Sequence, residues 1–163
     1  MREWSKRSKE IRFLLNPAFC GRIIYASVEE YRKRCGNDMP FPLVYLVLPL
    51  ILHRYTREKI LLGSKTNLIQ WTQSNNDILI GFPARTRGLL ETTDEAVEFL
   101  LCADLIEITE DGCIKRIQRR RISETEYTDE EIEDCLSKVK YVSRWFADLS
   151  SIDIIFSCLG VKP

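Results

Sequence analysis

The segment from Thr92 to Ile117 constrains the fold most tightly, because it strings several local patterns together in a fixed order. Thr92-Thr93-Asp94-Glu95 has the form of a capping box, and Val97, Leu100, Leu101 and Leu105 follow at helical spacing. Ile106-Glu107-Ile108-Thr109 alternates as a strand does, Glu110-Asp111-Gly112 is a turn, and Cys113-Ile114-Lys115-Arg116-Ile117 alternates again. Helix, strand, turn and returning strand is the order in which a winged helix-turn-helix domain ends. The expected fold is mostly α: a winged helix-turn-helix-like domain with a two-stranded wing and flanking N- and C-terminal helices.

Charge decides what such a helix can hold. In a DNA reader it enters the major groove, yet here it carries Asp94, Glu95, Glu98 and Asp104 and no Lys or Arg. Each acidic residue near a phosphate opposes binding by on the order of 1 kcal/mol even in a high dielectric. The pattern points to protein contact, with Asp94, Glu95 and Glu98 as candidate interface residues.

The remaining chain reads as helices around this unit. Asn16-Pro17 is an N-cap with proline in the first turn, Ile23, Ile24, Val28 and Tyr31 make an apolar stripe, and Gly36 is a natural stop. After Met39-Pro40-Phe41-Pro42, Leu43 to Leu52 is apolar on nearly every side, which predicts a core helix kinked at Pro49. A buried strand is the alternative for that run. Ser64 is expected to cap a short helix holding Leu68, Ile69 and Trp71, and a second, Gly- and Pro-interrupted helix is expected over Ile78 to Leu90. Thr128 with Glu131 opens a long helix whose apolar face holds Ile132, Cys135, Leu136, Val139, Val142 and Phe146. Ser150 is expected to cap a last helix, Ile152 to Leu159. The 163 residues suit one domain, with N-terminal helices over 16–62, the winged-helix-like core over 64–118 and C-terminal helices over 128–159.

Twenty-four basic residues balance twenty-four acidic ones, so a global field attracting nucleic acid or an anionic membrane is absent. Lys115, Arg116, Arg119, Arg120 and Arg121 nevertheless cluster on and just past the wing, where they could touch phosphate. The acidic run from Glu124 to Asp134 starts three residues later and can neutralise them. Trp145 and Phe146 point about 100° apart on a helix, so Trp145 is a further candidate contact for a partner, or else part of a wide buried face.

Reactive chemistry is hard to assemble from this chain. There is no Gly-x-x-x-x-Gly-Lys-Ser/Thr loop, so no nucleotide cofactor is expected. Six cysteines, none in a Cys-x-x-Cys pair, and one histidine predict reduced buried thiols rather than a metal site. His53 is expected to cap the C-terminal end of the apolar helix. No catalytic residue is assigned. The start, Met1 to Arg7, has no apolar signal core behind it, and the longest apolar run is too short to span a bilayer, so a cytoplasmic chain is expected.

Several segments carry a family resemblance. These are Asn16-Pro17-Ala18-Phe19, Met39-Pro40-Phe41-Pro42-Leu43 running into Leu46-Val47-Leu48-Pro49-Leu50 and His53, Thr56-Arg57, Arg144-Trp145-Phe146, and Leu159-Gly160-Val161-Lys162-Pro163. Together they resemble the middle component of three-component ABC systems, bacterial conflict loci that include Lamassu-type antiphage and antiplasmid defence. The proline-rich apolar signature and the terminal Gly-Val-Lys-Pro are the most specific parts, and the connector from Arg119 to Asp134 departs from the pattern. The resemblance implies a noncatalytic adaptor that bridges an SMC/Rad50-like ABC ATPase and an effector subunit of nuclease type, with DNA reached indirectly through the complex. The competing expectation is a stand-alone winged-helix DNA-binding regulator; an effector enzyme comes third.

Overall fold

The computed structural model describes residues 15–117, 129–149 and 151–162. Its first helix, α1 (Pro17–Cys35), starts where the sequence predicts, with the Asn16 side chain accepting from the Ala18 N–H and Pro17 at the first position. It stops at Gly36, whose φ of 78° places it in the left-handed region that a side chain would resist. A two-residue strand, β1 (Met39–Pro40), and a 3-10 turn over Phe41–Leu43 lead into α2 (Val44–Ile51). The Leu43–Leu52 run is thus helical, not a strand. Helix α2 carries Pro49 and buries Val44, Leu46, Val47, Leu48, Leu50 and Ile51 completely.

The next elements are α3 (Arg54–Glu58), α4 (Leu68–Ser74), a 3-10 turn over Asn76–Leu79, α5 (Phe82–Gly88) and α6 (Leu90–Cys102). Strands β2 (Ile106–Ile108) and β3 (Cys113–Arg116) follow, then α7 (Glu130–Leu149) and α8 (Ile152–Cys158). The chain is mostly helical, and its small sheet is antiparallel in the order β1-β3-β2. Among the described residues no helix is long and apolar enough to cross a membrane.

The structure corrects several expectations. The wing has three strands, not two: Met39 pairs with Ile114 and Pro40 with Cys113 on the open edge of β3. Proline is tolerated there because an edge strand leaves one N–H side unpaired. Thr92 does not cap a helix. Leu89 is the joint, its N–H bonded to the Arg85 and Thr86 carbonyls and its own carbonyl accepting from the Thr93 N–H and hydroxyl. Helix α6 therefore begins directly after α5, and Thr92 and Thr93 lie buried inside it. Asp104 lies beyond that helix, at φ 53° in the turn to β2.

Ser64 bonds to Thr66 instead of capping α4, whose cap is Asn67 in a reciprocal box with Gln70. The expected helix over Ile78 to Leu90 is split by Gly81 into the 3-10 turn and α5. Ser151 caps α8 by accepting from Ile154; Ser150 lies outside the described residues, as does Thr128. His53 caps the helix that follows it rather than the one before: its Nδ1 accepts from the Thr56 N–H at 3.3 Å and lies 2.7 Å from the Thr56 hydroxyl. Burial, helped by the Arg85 charge, lowers the His53 pKa and favours the neutral ring that this acceptor role requires.

One buried apolar cluster runs from Cys20 to Leu159 and takes in residues of every helix except α3. Helix α1 lies at its centre, packed on one side against α6 and on another against α7. Gly21 makes the first approach possible: a Cβ there would sit 3.3 Å from Leu100 Cγ and 3.4 Å from the Ala96 carbonyl oxygen. On the α7 side, the hydroxyls of Ser27 and Ser143 meet at 2.8 Å in full burial, and Ser143 also donates to the Val139 carbonyl. Both hydroxyls are therefore satisfied, as buried polar groups must be.

Arg57 is the second tie. Its guanidinium, 4% exposed, donates to Asp134 at 2.8 Å, to Glu131 at 2.7 Å and to the Ile51 carbonyl at 2.9 Å, fastening α3 to the start of α7.

The close helix pair yields a direct test. Gly21→Val forces methyl groups against Leu100 and the Ala96 carbonyl, so it should lower stability by about 1–3 kcal/mol in urea unfolding. An unchanged midpoint would show that α1 and α6 are not in close contact.

Candidate functional site

The α6 residues divide by direction. Ala96, Val97 and Leu100 face the core, and Glu95, 7% exposed, goes with them rather than to solvent. That removes Glu95 from the expected interface. The opposite face exposes Glu91, Asp94 and Glu98 together with Leu90, Leu101 and Cys102, and Phe99 is exposed farther round the helix. No Lys or Arg lies between Leu89 and Leu105.

Asp94 is held in place from α2. The Tyr45 hydroxyl donates to its carboxylate at 2.7 Å, and the Tyr45 ring packs edge-on against Phe41 at 5.7 Å. Burial and that hydrogen bond push the Tyr45 pKa up to about 12, so the phenol stays a donor. The result is a fixed carboxylate bordered by two half-buried aromatic rings. The sequence pattern singles out Asp94 and Glu98 but not Phe41 and Tyr45, which reach this surface only because α2 crosses beside α6.

Trp145 is not on any surface. It is 5% exposed, its ring lies 5.0 Å from Trp71, and its Nε1–H donates to the Thr66 carbonyl at 2.6 Å. The wide buried face accounts for Trp145 and Phe146 together.

The wing cations have local partners. Lys115 pairs with Glu107 directly across the β2–β3 ladder at 2.7 Å, and Arg116 reaches Glu29 of α1 at 2.5 Å. The hydrogen bond that the Lys115 ammonium donates to the Glu107 carboxylate raises the Lys115 pKa. Both line a cleft of about 670 Å³ between α1 and the sheet, together with Arg32, Lys33, Asp38 and Ile117. Arg32 pairs with Asp38, and Lys33 stands 3.7 Å from Glu29. A phosphate entering here would first have to displace these carboxylates. Arg119, Arg120 and Arg121 lie outside the described residues.

The thiols are poor nucleophiles where they are buried. Desolvation pushes Cys20 to about 12 and Cys135 to about 11, and all six cysteines are free. Among the described residues, no three His, Cys, Asp or Glu side chains converge closely enough to hold a metal ion.

A family model described as ABC-three component (ABC-3C) system Middle Component 3 matches residues 4–163. No curated protein and no solved structure matches the chain.

Neutralisation of the wing gives a clear expectation. Replacing Glu29 and Glu107 together by Gln frees Arg116, Lys33 and Lys115, so duplex DNA binding should tighten and its salt dependence should steepen by about two to three counterions. Equal binding by the parent chain and the double variant, measured across a salt series, would show that the ion pairs do not mask a phosphate site.

Proposed function

The chain belongs to the Middle Component 3 family of ABC-three component systems, and on that premise we propose that it is a noncatalytic adaptor whose outer α6 face grips another component of its system. The observation that carries this is the make-up of that face: exposed Leu90 and Leu101 set beside Asp94 and Glu98, with no Lys or Arg on α6. Scattered exposed apolar groups are ordinary, but this helix sets them beside the Asp94 carboxylate, which Tyr45 holds in place, and beside Glu98. Such a surface is complementary to an apolar strip flanked by Lys and Arg, and it repels phosphate.

The finer reading follows from the resemblance in the proline-rich and terminal motifs. The partners are an SMC/Rad50-like ABC ATPase and an effector of nuclease type, in Lamassu-type antiphage or antiplasmid defence in the bacterial cytoplasm. The chain bridges them as one unit, and DNA is reached through the complex. The succession of α5, α6 and the β2–β3 hairpin supports a winged-helix-like arrangement turned to protein recognition. The paired state of Lys115 and Arg116 weighs against a stand-alone DNA-binding regulator.

Charge reversal tests the proposal. Asp94→Lys with Glu98→Lys should leave the helical circular dichroism unchanged and weaken binding to one other component by about tenfold or more. Undiminished co-migration of the variant in size exclusion would remove the α6 face from the assembly.

A further inference from the structure

Ile80 is the most exposed large apolar residue described, at 80% of its full surface. It does not hang from a loose loop. Ile80 (φ −63°, ψ 117°) and Gly81 (φ 75°, ψ −2°) have the angles of a type II turn, which needs glycine at its second central position. The Ile80 N–H is bonded to the Asp77 carbonyl, and the Arg85 guanidinium reaches back to the carbonyls of Ile78 at 3.0 Å and Ile80 at 3.4 Å. Chain and side chain together hold an isoleucine out in water.

The surroundings of this turn are aromatic and cationic. Tyr55, 49% exposed, donates to Asp77, and the Lys59 ammonium stands 5.2 Å from the centre of its ring. Arg85 is half-buried over the Phe82 ring at 5.5 Å and also reaches the Thr56 hydroxyl at 3.4 Å, beside neutral His53. No described carboxylate pairs with Arg85, and its Nε is buried without a hydrogen-bond partner. Burial accordingly lowers its pKa. Asp77, the nearby carboxylate, is already engaged by Tyr55 and Lys59. A guanidinium kept partly out of water with no counter-ion is a place where an incoming carboxylate gains most.

We propose that the Ile80 turn, flanked by Tyr55 and Arg85, is a docking knob that inserts into an apolar pocket rimmed by carboxylates on another component of the same system. The inference rests on the reading of the chain as an adaptor, and it supplies a second contact besides the α6 face. A knob already rigid before docking loses little conformational entropy on insertion, and Tyr and Arg beside an apolar anchor are the residue types that dominate binding energy.

The test titrates the full-length chain, as parent, Ile80→Lys and Ile80→Glu, against each of the other two purified components by calorimetry. Both substitutions are at an exposed site and keep the fold. Ile80→Lys should weaken binding to one component by about tenfold. Ile80→Glu should weaken it several-fold more, because its charge meets the acidic rim, and the gap between the two should close as salt rises. Parent-like affinity in both variants would overturn the knob. A larger loss with Lys than with Glu would overturn the acidic pocket. Self-association of the parent chain that Ile80→Glu abolishes in sedimentation velocity would assign the turn to a second copy and overturn the proposed partner. If Asp94→Lys/Glu98→Lys loses binding while Ile80→Glu keeps it, the adaptor reading stands and this inference falls. A parent chain that binds neither component removes both.

Discussion

The close approach of α1 to α6 at Gly21 is the contact on which the rest depends. With no side chain at that position, Leu100 and the Ala96 carbonyl can settle against the α1 backbone. Packing at that distance fixes the rotation of α6 about its own axis. Once Ala96, Val97 and Leu100 are directed inward, Asp94 and Glu98 must point outward, since residues on a helix are set about 100° apart. The polarity of the exposed face is thus a consequence of the core.

The same logic extends outward from α1. Its other side is pinned to α7 by the Ser27–Ser143 pair, and Arg57 ties the α7 start to α3 and to the end of α2. Helix α2 in turn sends Tyr45 to Asp94. Two surface features therefore rest on rigid supports: the α6 face on α1 and α2, and the Ile80 turn on Arg85 and Gly81. Rigid supports suit the proposed adaptor role, because ordering costs on binding are then small. The thiols of Cys20 and Cys135 are buried with raised pKa values, and His53 caps the helix that follows it.

Local chemistry was legible in the sequence. Asn16-Pro17, Gly36, the Glu110-Asp111-Gly112 turn and the alternation of β2 and β3 all act through residues close in the chain, and the apolar continuity of Leu43–Leu52 could only be buried. What stayed hidden depends on distant partners. The β1 strand forms only because β3 offers it an edge more than seventy positions later. Thr92 looks like a cap until Leu89 is seen to join two helices, and Trp145 looks available until Trp71 and Thr66 meet it. Other signals are local as well: Asn67 and Gln70 have capping-box spacing, and hairpin register sets Glu107 opposite Lys115. The exposure of Ile80 could not have been read, because Leu79-Ile80-Gly81-Phe82 has the composition of a core segment.

On the proposed function, the acidic, partly apolar α6 face set by the α1–α6 contact is covered by protein in the working assembly. Hydroxyl-radical footprinting of Leu90 and Leu101 measures that covering directly, side chain by side chain. In the complete three-component complex both residues should be oxidised several-fold more slowly than in the isolated chain, with Asp94→Lys/Glu98→Lys restoring the faster rate. Equal oxidation rates in the free and assembled states would contradict the account.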